Sequence, residues 1–121
     1  MMALVVWGHM LLSGCTHTPQ APDTAPPTTE CVRTVSWQAW GQGFFMTWCQ
    51  ACHSQTTSAR NGAPEGIDFD TEAQVLTLLD AVSETVLVSR SMPVGGGPDA
   101  DDLTLLSIYL DELRHCAQAG Q

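Results

Sequence analysis

At 121 residues the chain makes one domain, because its whole length supplies a single core of ordinary size and leaves no room for a second active unit. Its formal net charge is −9, and it carries no lysine, only Arg33, Arg60, Arg90 and Arg114. Nucleic acid is excluded as a partner, since binding it demands a basic face; an acidic surface either keeps a small protein soluble or steers it towards a basic-faced partner, as in transient redox pairs.

Residues 1–14 are almost wholly apolar and end in Leu12-Ser13-Gly14-Cys15. The stretch is shorter than the roughly 20 apolar residues of a bilayer span, and it reads as an export signal peptide, against the alternative of a buried N-terminal helix. It departs from the usual signal pattern in having only His9, and no Lys or Arg, ahead of its end. The Leu-Ser-Gly-Cys ending resembles the lipobox of bacterial lipoproteins, which implies a lipid on Cys15 as the first mature residue. Residues 15–30 then form a linker in which Pro19, Pro22, Pro26 and Pro27 sit among Thr, Gln, Ala and Asp without a hydrophobic run. Behind a lipidated cysteine such a segment is a tether; without one it is a disordered N-terminus of the same composition.

Three helical stripes follow in residues 31–121. Trp37, Trp40, Gly41, Phe44, Phe45 and Trp48 recur at spacings of three and four and run directly into Cys49. Val75, Leu78, Leu79, Val82 and Val86 form a second stripe behind Thr71-Glu72-Ala73-Gln74, which has the form of a capping box. Leu103, Leu106, Tyr109, Leu110 and Leu113 form a third, with Asp99 as its cap, acidic residues in its first turn, and Arg114 and His115 towards its far end. No segment alternates with period two, so the expected fold is all-α, with long loops at about 54–70 and 91–98 that are rich in Gly, Pro and Asn. Three short helices give a thin core, which a large apolar cofactor would complete.

Cys49-Gln50-Ala51-Cys52-His53 is the most specific motif in the chain. Cys-x-x-Cys-His is the attachment signature of haem c: two thiols one turn apart take up one porphyrin as thioethers, and the adjacent histidine lies beneath the iron as an axial ligand. A zinc site would need a fourth ligand nearby, whereas Cys31, Cys116, His17 and His115 are far off in sequence. A thioredoxin-like pair would need βαβ surroundings, which the pattern lacks. Electron carriers usually place Met or His on the opposite side of the iron. After residue 15 only Met46 and Met92 remain; Met46 lies within a turn of Cys49 and cannot cross the ring, so the second ligand falls to Met92, in Ser91-Met92-Pro93-Val94-Gly95-Gly96-Gly97. A core-filling role for Met92, and His17 or His115 as ligands, are the alternatives.

With these residues in place, the stretch from about Val35 to Cys116 resembles the class I c-type cytochromes. Gly41 and Phe45 stand eight and four residues before the first haem cysteine, and Leu106-Ser107-Ile108-Tyr109-Leu110 matches the family's C-terminal helix. The resemblance implies a small cytochrome c fold of three main helices around the haem, with the first and last crossing closely at Gly41. It also implies that Pro64, in Gly62-Ala63-Pro64, accepts the other N–H of His53 through its carbonyl. Arg60 is a candidate partner for a haem propionate, against an exposed arginine without a role. No counterpart of the family's propionate-bonding tryptophan follows His53.

Cys31 and Cys116 are left once the other cysteines are assigned. An oxidising location permits a bridge, and the crossing implied by the resemblance brings their flanks together; two free thiols are the alternative. The sequence thus points to an exported electron carrier that transforms no substrate, either alone or as a subunit of a redox complex. It would be periplasmic or on the cell surface, lipid-anchored to a bacterial membrane and served by redox protein partners. A haem sensor or peroxidase-like protein with an open distal site, and a small zinc or disulfide lipoprotein, are the competing expectations.

Overall fold

A computed structural model describes residues 31–120. The expected signal peptide at 1–14, Cys15, His17 and the proline-rich stretch at 15–30 lie outside the described residues. Among the described residues the fold is all-helical, with four α-helices and no strand. A π-helical turn Trp37–Gly41 leads into α1 (Gln42–Trp48); α2 (Glu72–Thr77) and α3 (Leu79–Val82) follow, α3 continuing as a second π stretch Ser83–Val88; and α4 (Ala100–Ala119) closes the chain. No helix among the described residues is long and apolar enough to cross a membrane.

The first helical segment starts at Ser36, whose Oγ accepts the Ala39 N–H at 3.2 Å. The Ser36 carbonyl accepts both the Trp40 and Gly41 N–H groups, each at 3.1 Å, and this shared acceptor widens the first turn. The second stripe is not one α-helix. Thr71 and Gln74 make the expected capping box at its start, but the Thr77 hydroxyl donates to the Gln74 carbonyl at 2.8 Å. That carbonyl is the α-helical acceptor for Leu78, whose N–H turns to Val75 instead, at 3.0 Å. Leu78 leaves helical geometry there, and α2 ends. α4 carries the Asp99 cap, which accepts from Asp101 and Asp102.

One core joins the elements. Phe45, Val75, Leu106, Tyr109 and Leu110 are its fully buried side chains, with Phe44, Phe69, Leu79, Val82 and Val86 around them. The Phe45 ring lies 6.1 Å from Tyr109 and 5.5 Å from Phe69. The first helical segment and α4 meet through aromatic side chains, Trp40 and Phe45 on one side and Tyr109 on the other.

Gly41 sits at that meeting. A β-carbon there would lie 3.1 Å from the Tyr109 ring and 3.2 Å from Trp37. Tyr109 cannot readily retreat, being 0% exposed and tied through its hydroxyl to Glu72 Oε1 at 3.1 Å. Glu72 is also gripped by Arg33, whose Nη1 and Nη2 donate to its two oxygens. Burial, the Glu72 charge and this hydrogen bond hold the Tyr109 phenol protonated above its ordinary range.

The segment before α1 is fastened twice more. Cys31 and Cys116 form a disulfide with Cα atoms 5.3 Å apart, across 85 residues of sequence. Loop-closure entropy over such a span is worth about 4.5 kcal/mol. Glu112, on α4, accepts from Thr34 Oγ1 and from the Thr34 and Val35 N–H groups at 2.9 and 3.0 Å. The Thr34 hydroxyl bond leads the causes that lower the Glu112 carboxyl below its ordinary value, followed by the Val35 N–H.

Two outcomes test this packing. Gly41→Val should lower stability by about 2–3 kcal/mol through overpacking against Tyr109. Gly43→Ala, a helical position with nothing within 4 Å, should raise stability by up to about 1 kcal/mol; urea melts of both variants check the contrast. Because the Glu112 carboxyl is lowered on folding, its contribution is complete above the unfolded value of 4.5 and is lost as pH falls through the lower folded value. Glu112→Gln should therefore narrow the stability gap between neutral pH and pH 3, measured by thermal melts across that range.

Candidate functional site

α1 delivers the cysteine motif and then stops. Cys49 is its C-cap, with φ −120° and its N–H on the Phe45 carbonyl. The Cys49 carbonyl accepts the N–H of both Cys52, at 3.1 Å, and His53, at 2.9 Å. This tight turn puts both cysteines and the histidine on one short arc. Cys49 and Cys52 are free thiols, both half-buried. Burial pushes the Cys49 thiol up to about 12, so it is neutral at physiological pH. Cys52 Sγ accepts from the Asn61 side-chain amide at 3.3 Å.

His53 is held on two sides. Its Nδ1 lies 2.9 Å from the Ile67 carbonyl. A carbonyl can only accept, so the ring proton is on Nδ1, and Nε2 carries the lone pair. The Phe69 ring lies 5.5 Å from the imidazole. The acceptor expected from the family resemblance was the Pro64 carbonyl; in the structure the partner comes three residues later, at Ile67. The Pro64 carbonyl instead accepts from Arg60 Nη2 at 2.5 Å.

The loop 54–70 is closed at its base by polar contacts. Phe69 N–H donates to the His53 carbonyl at 2.9 Å, and the Gln50 amide donates to the Phe69 carbonyl at 2.8 Å. Asp70 accepts from the Ser54 hydroxyl at 2.5 Å and the Gln55 N–H at 2.9 Å. At the tip, the Ala63 N–H returns to the Arg60 carbonyl at 2.9 Å, and the intervening Asn61 and Gly62 both take positive φ, at 50° and 88°. Asn-Gly is the pair that tolerates this turn best.

Arg60 fills the inside of the loop. Its Nε donates to Ala63 at 3.2 Å, Nη1 to the Ser54 carbonyl at 2.9 Å and to Asp68 Oδ1 at 2.7 Å, and Nη2 to Pro64 at 2.5 Å and Ile67 at 3.2 Å. Those five bonds use every N–H the guanidinium has. The expected propionate contact therefore has no donor left on Arg60 in this arrangement. Asp68 is itself buried, which makes the ion pair costly to break from one side, by about 3 kcal/mol.

Met92 belongs to a different loop. Its N–H donates to the Thr85 carbonyl at 3.1 Å, its peptide bond to Pro93 is cis, and it is 39% exposed. It lines an open cavity of about 420 Å³ together with Val86, Arg90, Val94, Pro98 and Leu103. Met46 is exposed on α1. Among the described residues, no three His, Cys, Asp or Glu side chains gather into a group that could hold a metal ion.

The residues fit a covalently held haem by their donor chemistry. Two unbridged thiols stand one turn apart, and the neighbouring imidazole has its Nδ1 engaged and its Nε2 available to iron. Ile67 and the Arg60 bonds were not legible in the sequence, because a backbone carbonyl is present at every position and carries no residue-type signal. No protein-family profile, curated protein or solved structure matches this chain.

Asp70→Ala should release the base of the loop. Trypsin cleavage after Arg60 should then become faster by about tenfold, the equivalent of one lost charge-assisted hydrogen bond, as followed by mass spectrometry of timed digests.

Proposed function

We propose that the chain is a monohaem cytochrome c that carries single electrons, exported and lipid-anchored through Cys15 to a bacterial membrane, in the periplasm or on the cell surface. The observation that carries this reading is the His53 site: a histidine directly after two unbridged thiols, its proton fixed on Nδ1 by Ile67. On this reading Cys49 and Cys52 would hold the haem through thioethers, and His53 and Met92 would ligate its iron. The haem supplies a one-electron couple at its iron, and Met opposite His gives a more positive potential than two histidines. A fixed Nδ1–H···O=C bond orients the ring and raises its donor strength, as it does for metal-bound histidines generally.

The all-helical fold and the close approach of α1 to α4 at Gly41 and Phe45 agree with a small cytochrome c fold. With Arg33, Arg60 and Arg114 in ion pairs, the surface charge is dominated by carboxylates, which favours encounter with basic-faced redox proteins.

The test is to express the full chain in a bacterium that matures c-type cytochromes, then denature it and wash it with acidic organic solvent. Haem should stay with the polypeptide, and Cys49→Ala together with Cys52→Ala should abolish its retention. The native ferric protein should show the methionine-to-iron charge-transfer band, which Met92→Ala should remove while lowering the potential. A washed polypeptide without haem overturns the reading; retained haem with a high-spin ferric spectrum shifts it to a sensor or peroxidase-like protein with an open distal site.

A further inference from the structure

The Ile67 carbonyl accepts two bonds at once, from His53 Nδ1 at 2.9 Å and from Arg60 Nη2 at 3.2 Å. Arg60 in turn is locked by Asp68, Ser54, Ala63 and Pro64. We infer that Arg60 is a positioning residue for His53, its guanidinium fixing the Ile67 carbonyl that holds the imidazole proton.

The physical case rests on geometry. Ile67 follows Gly66, whose φ of 83° marks a tight turn, and the Ile67 N–H reaches only the Pro64 carbonyl, at 3.4 Å. The Ile67 carbonyl belongs to the next peptide unit, and its donors are both side chains, His53 Nδ1 and Arg60 Nη2, so Arg60 is what holds this oxygen besides the imidazole. Arg60 supplies a planar, rigid fork whose donors span the Pro64 and Ile67 carbonyls from one nitrogen while the other nitrogen is anchored on Asp68 and Ser54. Lysine has the same charge, but three donors on a single point, and cannot meet acceptors spread along the loop. The role belongs to the fork and not to the charge. Asp68 belongs to the same device, since a buried carboxylate at 2.7 Å fixes the guanidinium's rotation.

The inference deepens the haem-carrier reading and rests on it for one consequence: the strength of the Nδ1–H bond tunes the donor strength of an iron-bound imidazole. A loosened Ile67 carbonyl makes His53 a weaker donor, and the potential rises.

The experiment uses the full chain as purified and reads the exchange of the His53 Nδ1 proton with solvent by NMR, a measurement that works with or without bound haem. Arg60→Lys should speed this exchange by at least about tenfold, the equivalent of one charge-assisted hydrogen bond. Asp68→Asn, which keeps an acceptor but loses its charge, should speed it by a smaller factor and serves as the readout if Arg60→Lys fails to fold. Where haem is bound, Arg60→Lys should also raise the potential although the charge is retained. Exchange within twofold of the unsubstituted chain in a folded Arg60→Lys or Asp68→Asn protein overturns the inference. If the washed chain holds no haem, the carrier reading fails, while the proton-exchange result still decides the role of Arg60.

Discussion

The contact between Tyr109 and Gly41 is the constraint on which the rest of this small structure depends. A β-carbon at position 41 would lie 3.1 Å from the ring, tighter than an ordinary contact, so the turn that leads into α1 packs against α4 with the tyrosine ring held closely between them. At its other end the hydroxyl reaches Glu72, the first residue of α2, and Glu72 in turn holds Arg33 on the segment before α1. One side chain thereby joins the start of the domain, its middle and its last helix. The neighbouring contacts reinforce it: Phe45 packs tilted against the same tyrosine ring, and the Cys31–Cys116 bridge and the Glu112 carboxylate fasten the adjoining flank.

From that crossing the chain passes to the cysteine motif without slack. α1 ends at Cys49 only one turn beyond Phe45, which is 0% exposed, so the turn bearing Cys52 and His53 inherits the rigidity of the core. Phe69 completes the link, packing on both Phe45 and His53. The apolar core sets where His53 stands, and the polar interior of the 54–70 loop sets which way its ring faces.

The stripes of both outer helices and the caps at Thr71 and Asp99 were legible in the sequence, because each rests on residue type at a fixed spacing, whereas the close approach at Gly41 was implied only by the family resemblance. The break between α2 and α3 was not legible. There the Leu78 N–H turns to Val75 while the Thr77 hydroxyl bonds the Gln74 carbonyl, and residue type in a helical stripe does not say which carbonyl a given N–H or hydroxyl takes. The motif Cys49 to His53 was legible as chemistry, whereas the acceptor for the imidazole was misplaced by three residues. That register depends on the turns at Asn61-Gly62 and Gly66, and their φ values decide which carbonyl faces inward. An arginine near a Cys-x-x-Cys-His motif gives no sequence sign of what it bonds; the geometry shows five acceptors around Arg60.

The two loops that carry the proposed iron ligands differ in how they are made. His53 lies at the base of a loop filled by an ion pair and closed by Asp70 and Gln50, where a change of ring orientation would have to break several bonds together. Met92 lies in a loop anchored to the preceding helix by its own N–H on Thr85, ahead of Gly95 and Gly96 at positive φ and beside an exposed Val94. A one-electron carrier works best when its ligands move little between oxidation states, and on the proposed reading the His53 side meets that demand by construction. Bonding of a thioether sulfur to iron would have to supply on the Met92 side the order that side-chain hydrogen bonds supply on the other. The two sides therefore differ in what holds them: His53 is tied to the aromatic core through the shared Phe69 contact, whereas Met92 is held by its own N–H on Thr85 beside a cavity lined by Val86 and Leu103.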